Sequence, residues 1–131
     1  MKLIECVPNF SEGKDNSFVN ELKNIVVNSE NVHFLDIDSG ADTNRTVLTF
    51  VGEPSFVIDA AFKLIKYASE YIDMSKHKGE HPRMGATDVC PLIPLQNVNM
   101  NDCIRYSKLL AKKVGDLLNI PVFMYENSAK N

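Results

Sequence analysis

Val32-His33-Phe34-Leu35-Asp36-Ile37-Asp38, followed after the polar segment Ser39 to Arg45 by Thr46-Val47-Leu48-Thr49-Phe50-Val51, decides the fold. Both runs are rich in the β-branched and aromatic residues that suit a pleated, half-buried surface. Two such runs joined by one polar loop suggest an antiparallel pair. Thr46 to Val51 offers apolar side chains to both sides, so helices cover one sheet face and a second layer is expected on the other. Toward the N-terminus, Lys2 to Val7 reads as a first strand stopped by Pro8-Asn9, with a turn or loop through Ser11-Glu12-Gly13. Phe18, Leu22, Ile25 and Val26 then recur at spacings of three and four, predicting a helix. Toward the C-terminus, Gly52-Glu53-Pro54 opens a long helix whose buried face is Val57, Ala60, Ala61, Leu64, Ala68 and Ile72. Val89 to Leu95 reads as a strand interrupted by Pro91 and Pro94, which favour an edge or a bend. Asn99 and Asp102 resemble a capping pair for a helix from about Asn101, and Ile120 to Tyr125 is a last short strand. The order is an α+β, ferredoxin-like β-α-β-β-α-β with an added α-β, giving a mixed sheet with helices on one face.

Composition narrows the function classes. At 131 residues the chain fits one compact domain, since domains commonly hold about 100–150. The 44% hydrophobic and 24% charged content is that of an ordinary globular protein. A net charge of -3, with Lys and Arg scattered, lacks the basic stripe of a nucleic-acid binder. No stretch approaches the roughly 20 apolar residues that span a bilayer. A charge and a proline interrupt the first residues before a signal-peptide core forms. Cys6, Cys90 and Cys103 are odd in number, far apart and without C-x-x-C spacing, which argues against a disulfide framework or a thiolate zinc site. Reduced thiols and a cytoplasmic location follow.

Lys76-His77-Lys78-Gly79-Glu80-His81-Pro82-Arg83-Met84-Gly85 concentrates the chemistry. Histidine trades protons near neutrality, with an unperturbed pKa of about 6.5. His77 and His81 stand four apart, but Gly79 between them and Pro82 after them disfavour the helix that would pair the rings on a metal, and no H-E-x-x-H motif is present. No metal is expected. Two readings fit His81 equally on local chemistry: a general base or acid whose backbone Pro82 restricts, or a solvated loop residue. His77 reads rather as a charge complementing the end of the preceding helix. Arg45 and Arg83 can grasp carboxylates bidentately, or cap turns. Asp38, at the end of an apolar strand, can bind a cationic substrate group, orient His81 or satisfy turn amides. His33 reads as a packing residue within its strand, and Cys90 as a small buried strand residue.

Four motifs occur in sequence order: Ile4 to Gly13; Asp36 to Gly40 with Thr43-Asn44-Arg45-Thr46; Thr49 to Gly52; and Ile72 to Ala86 with Asp88 to Pro91. Together they closely resemble the glutamate formimidoyltransferase family, whose module also begins the bifunctional formiminotransferase-cyclodeaminases. The resemblance covers residues 1–125 as an N-terminal subdomain and leaves 126–131 as a tail or truncated linker. It implies transfer of the formimino group of N-formimino-L-glutamate to N5 of tetrahydrofolate, a co-substrate, in histidine catabolism. It also implies His81 as the catalytic residue, a homodimer, and a second, C-terminal subdomain or split partner chain that completes the folate site. Asp38, Arg45 and Arg83 are then substrate-binding candidates. The competing expectation is a non-catalytic paralogue that binds folate or a protein partner.

Overall fold

The computed structural model describes residues 1–40, 42–77 and 87–118. Its elements are β1 (Leu3–Cys6), β2 (Asn9–Phe10), α1 (Asn16–Val27), β3 (Val32–Gly40), β4 (Arg45–Gly52), α2 (Pro54–His77), β5 (Thr87–Val89), β6 (Leu92–Gln96) and α3 (Met100–Leu118). β3 and β4 form the expected antiparallel pair, in register from Val32 opposite Gly52 to Gly40 opposite Arg45, with an irregularity at Leu35. Along its other edge β4 pairs first with β2 and then with β1.

Proline explains why two strands are each split. Pro8 has no N–H to give a ladder, so β1 stops; its carbonyl still accepts from the Leu48 N–H at 3.1 Å, and the strand resumes as β2. Across from this break, Cys90-Pro91 divides β5 from β6, and the Pro91 carbonyl accepts from the Val7 N–H at 3.2 Å. Counting each split pair as one strand, the sheet order is β3, β4, β1/β2, β6/β5, which is the ferredoxin-like arrangement. Every ladder among the described residues is antiparallel. The strand expected over Ile120 to Tyr125, like the tail 126–131, lies outside the described residues.

Helix ends follow local chemistry. Asp15 starts α1 by accepting from the Ser17 N–H at 2.9 Å and the Phe18 N–H at 3.4 Å. The expected capping pair starts α3: Asn99 N–H donates to Asp102 Oδ2 at 3.0 Å, and Asp102 N–H to Asn99 Oδ1 at 2.8 Å. Pro54 opens α2, where a missing N–H costs nothing. The helices bury one face of the sheet. Ile4, Cys6, Phe10, Leu48 and Phe50 meet Phe18, Leu22 and Val26 of α1 and the small-residue face of α2, where Ala60, Ala61 and Ala68 allow close approach. α3 adds Cys103, Leu110 and Val114. No helix among the described residues is long and apolar enough to cross a membrane.

Alternation assigns the other face. With Thr46, Leu48 and Phe50 buried, Arg45, Val47, Thr49 and Val51 turn away from the helices. His33 lies opposite Val51 on the edge strand β3 and is exposed, contrary to its expected packing role. The reason is that only the alternate positions of β3 have a helix above them.

An aromatic cluster fastens α1 to α2. The Phe18 ring centre lies 4.5 Å from that of Tyr71 and 5.6 Å from that of Tyr67. The Tyr71 hydroxyl lies 3.1 Å from Asp15 Oδ2 and 3.3 Å from Glu12 Oε1, with one hydrogen to donate. Burial, and then the Glu12 charge, hold the phenol well above the usual tyrosine range.

Two outcomes follow. Leu48→Ala removes a wholly buried side chain from the central strand and lowers unfolding free energy by about 2–5 kcal/mol in urea titration. An unfolded tyrosine ionises at about pH 10 and folded Tyr71 only above that, so above pH ~10 the folded state holds more protons and stability falls as pH rises. Tyr71→Phe flattens that alkaline limb in urea midpoints measured against pH; an unchanged slope contradicts the assignment.

Candidate active site

Register brings distant motifs to one end of the sheet. Ser39, Thr46, Phe10 and Thr87 lie abreast across four strands, and Asp38, Val47, Asn9 and Val89 form the next row. Asp38 therefore shares with Val47 the face that no described helix covers, called the uncovered face below, and Arg45, two residues before Val47, lies on that face too. Asp38 and Arg45 are both exposed. Asp38 needs no buried partner to offset its charge, because β3 runs on to Gly40 and the carboxylate meets solvent.

Two described elements flank the histidine-rich segment in sequence. α2 finishes at His77, and β5 begins at Thr87 beside Phe10. His81 and Arg83, the two site candidates between those points, lie outside the described residues. His77 is the last residue of α2, which agrees with its reading as a helix-end residue. No group of His, Cys, Asp or Glu among the described residues is placed to hold a metal.

The loop after β2 fixes the turn that presents Arg45. Gly13 lies so close to that turn that an added Cβ would stand 2.4 Å from the Arg45 carbonyl oxygen and 2.7 Å from the Gly40 carbonyl oxygen. Only glycine fits such an approach. Its N–H donates to Asn44 Oδ1 at 2.9 Å. Asn44 itself sits at φ 53°, a left-handed conformation that asparagine tolerates better than most residues. The Thr46 hydroxyl, wholly buried, donates to the Glu12 carbonyl. Glu12 Oε2 accepts from the Lys14 and Asp15 N–H groups, both at 2.9 Å, so its carboxylate shapes the loop that leads into α1.

Sequence reasoning singled out Asp38 and Arg45, and the register sets them on one face; that reasoning read Glu12 and Gly13 as part of a turn and Asn44 as a turn cap, without the contact that joins the two loops. The available signal was compositional: Asn44 in a polar loop between two strands is a candidate for a left-handed turn position. Cys90 is not a strand residue. It sits between β5 and β6, partly buried, with its sulfur 3.5 Å from that of Cys6.

A carboxylate and a guanidinium on one sheet face can grip a ligand that carries both signs of charge. Along that face the register sets Val47, Asp36 and Thr49 nearest to them, and apolar side chains gather toward the other end of the sheet. Ile93 and Leu95 of β6 are 38% and 52% exposed, and Leu3 and Val51 flank Glu5 of β1. A cleft of about 360 Å³ on the helical side, between α1 and α2, is lined by Glu21, Asn24, Asn28, Lys63, Lys66 and Tyr67 and gathers none of the candidates.

Residues 3–131 match the family described as "Formiminotransferase domain, N-terminal subdomain". The glutamate formimidoyltransferase of Streptococcus pyogenes serotype M1 is 48% identical over 128 residues, which is 98% of this chain and 43% of that protein. The enzyme of the same name from Thermoplasma acidophilum is 48% identical over 130 residues, 99% of this chain and 43% of that protein. The formimidoyltransferase-cyclodeaminase of Dictyostelium discoideum is 45% identical over 128 residues, 98% of this chain and 24% of that protein. The chain thus spans less than half the length of each of these relatives. The chain, a ferredoxin-like layer matched over residues 3–131, belongs to the formiminotransferase N-terminal subdomain family.

Proposed function

We propose that this chain supplies the catalytic-histidine half of a glutamate formimidoyltransferase site, moving the formimino group of N-formimino-L-glutamate to N5 of tetrahydrofolate in histidine catabolism. The observation that carries the reading is the register that sets Asp38 and Arg45 on one sheet face, at the end where Thr87, the first described residue after the segment containing His81, pairs with Phe10. In the reaction the N5–carbon bond forms and the bond from that carbon to the glutamate nitrogen breaks. The proton leaving N5 has to reach the departing nitrogen. His81 is the group we assign to accept it and return it, because a neutral imidazole does both near neutrality. Asp38 stabilises the positive charge on nitrogen in the tetrahedral adduct. Arg45 and Arg83 hold carboxylates of glutamate or of the folate tail.

Nothing in this scheme requires a metal, and folate enters as co-substrate. The exposed Ile93 and Leu95 on the uncovered face support the further assignment of a second half: a C-terminal subdomain, or a separate partner chain, that closes over the folate. The relatives are more than twice as long as the matched region, which agrees with that division. A homodimer working in the cytoplasm completes the proposal.

With that second half supplied, His81→Ala lowers kcat for formimino transfer by about 10²–10⁴-fold; transfer at the wild-type rate would remove His81 from the mechanism. Gly13→Ala forces the Arg45 backbone aside and costs about 10²-fold in kcat/KM. Circular dichroism of the variant stays that of the native fold, so the loss reads as misplacement of the Arg45 turn.

A further inference from the structure

We propose that Cys6 and Cys90 are a modification site, closing reversibly to a disulfide when a two-electron oxidant such as hydrogen peroxide reaches the protein. The two sulfurs stand 3.5 Å apart as free thiols, in the hydrogen-bonded arrangement. A disulfide requires about 2.05 Å, so the sulfurs have about 1.5 Å to close.

The site of the pair makes that movement feasible. Cys6 ends β1 at the break before Val7-Pro8, and Cys90 lies in the break between β5 and β6. Both strands are interrupted here, so the backbone adjusts without breaking a continuous ladder. The Val7 N–H to Pro91 carbonyl bond keeps the two breaks together while it does so.

The two thiols differ in access. Cys90 is partly exposed and Cys6 wholly buried. An oxidant therefore meets Cys90 first, while burial, reinforced by the neighbouring Cys90, pushes the Cys6 thiol well above its ordinary range. Peroxide transfers one oxygen to the Cys90 sulfur, giving a sulfenic acid and water. The Cys6 sulfur attacks the Cys90 sulfur, the S–O bond breaks, and hydroxide leaves with the Cys6 proton as a second water. Two thiols and one peroxide thus become one disulfide and two waters, and a dithiol reductant reverses the change. The linked residues are 84 apart in sequence, so the bond ties the first strand to the stretch just beyond the histidine-rich segment, whose exit strand is β5.

The test does not depend on formimino transfer. The chain is treated with hydrogen peroxide, its remaining thiols are alkylated after unfolding, and a non-reducing digest is read by mass spectrometry. The expected result is a peptide pair joined through Cys6 and Cys90, with a mass loss of two hydrogens that dithiothreitol restores and that Cys90→Ser abolishes. Should Cys6→Ser fail to fold, Cys90→Ser decides the matter, since its site is the more open one. Sulfinic or sulfonic acid on Cys90 without the link, a link to Cys103, or unchanged thiols under peroxide that oxidises a free-cysteine peptide would each overturn the proposal.

Discussion

The contact between Gly13 and the Arg45 turn is the constraint from which the site follows. Backbone meets backbone there, so no side chain can be inserted, and the loop leading into α1 has to lie against the β3–β4 turn. Asn44 and Thr46 supply polar bonds on either side of the contact. Tyr71 then reaches the same loop from α2 through Glu12 and Asp15. A helix end, a loop and a turn that are far apart in sequence are thereby held as one unit. This unit lies beside the row Ser39, Thr46, Phe10 and Thr87.

The sheet divides labour between its faces. Toward the helices lie Phe10, Leu48 and Phe50, wholly buried against α1 and α2, and this side supplies stability. Away from the helices lie Asp38 and Arg45 at one end of the sheet and the exposed Ile93 and Leu95 toward the other, with Asp36, Glu5 and His33 on the same side. Charge and apolar surface together are poor for a face that only meets water, but suit one that holds a ligand with a flat ring and carboxylates. The mixed-charge cleft between α1 and α2 contains neither Asp38 nor Arg45.

Much of the architecture was legible because its signals are local. Helical spacing found α1, α2 and α3, Asn99 with Asp102 found the start of α3, and β-branched runs found β3 and β4. Pro8 was read correctly as an interruption, but the resumption as β2 was hidden: two residues carry no periodicity, and β2 exists only because β4 and β5 flank it. His33 was misread since alternation tells that a residue faces one side, not whether a helix covers that side. Asp38 and Arg45 were legible as chemistry. Their proximity was not, because it depends on the register of β3 against β4. Glu12, Gly13 and Asn44 act through backbone contacts across the fold, and no single motif announces those. His81 and Arg83 lie outside the described residues; His81 is implied by the resemblance of the four ordered motifs, and Arg83 by the chemistry of a guanidinium.

The central claim is that a reduced folate is received on the uncovered face, at the sheet end that carries Asp38 and Arg45. Backbone-amide NMR during an anaerobic titration with tetrahydrofolate, with the second half of the enzyme supplied, addresses it most directly. The account predicts saturable shifts, relative to the unliganded complex, at Asn9, Asp38, Arg45 and the segment carrying His81. Shifts confined to the cleft between α1 and α2, with Asp38 and Arg45 unmoved at saturation, would contradict it.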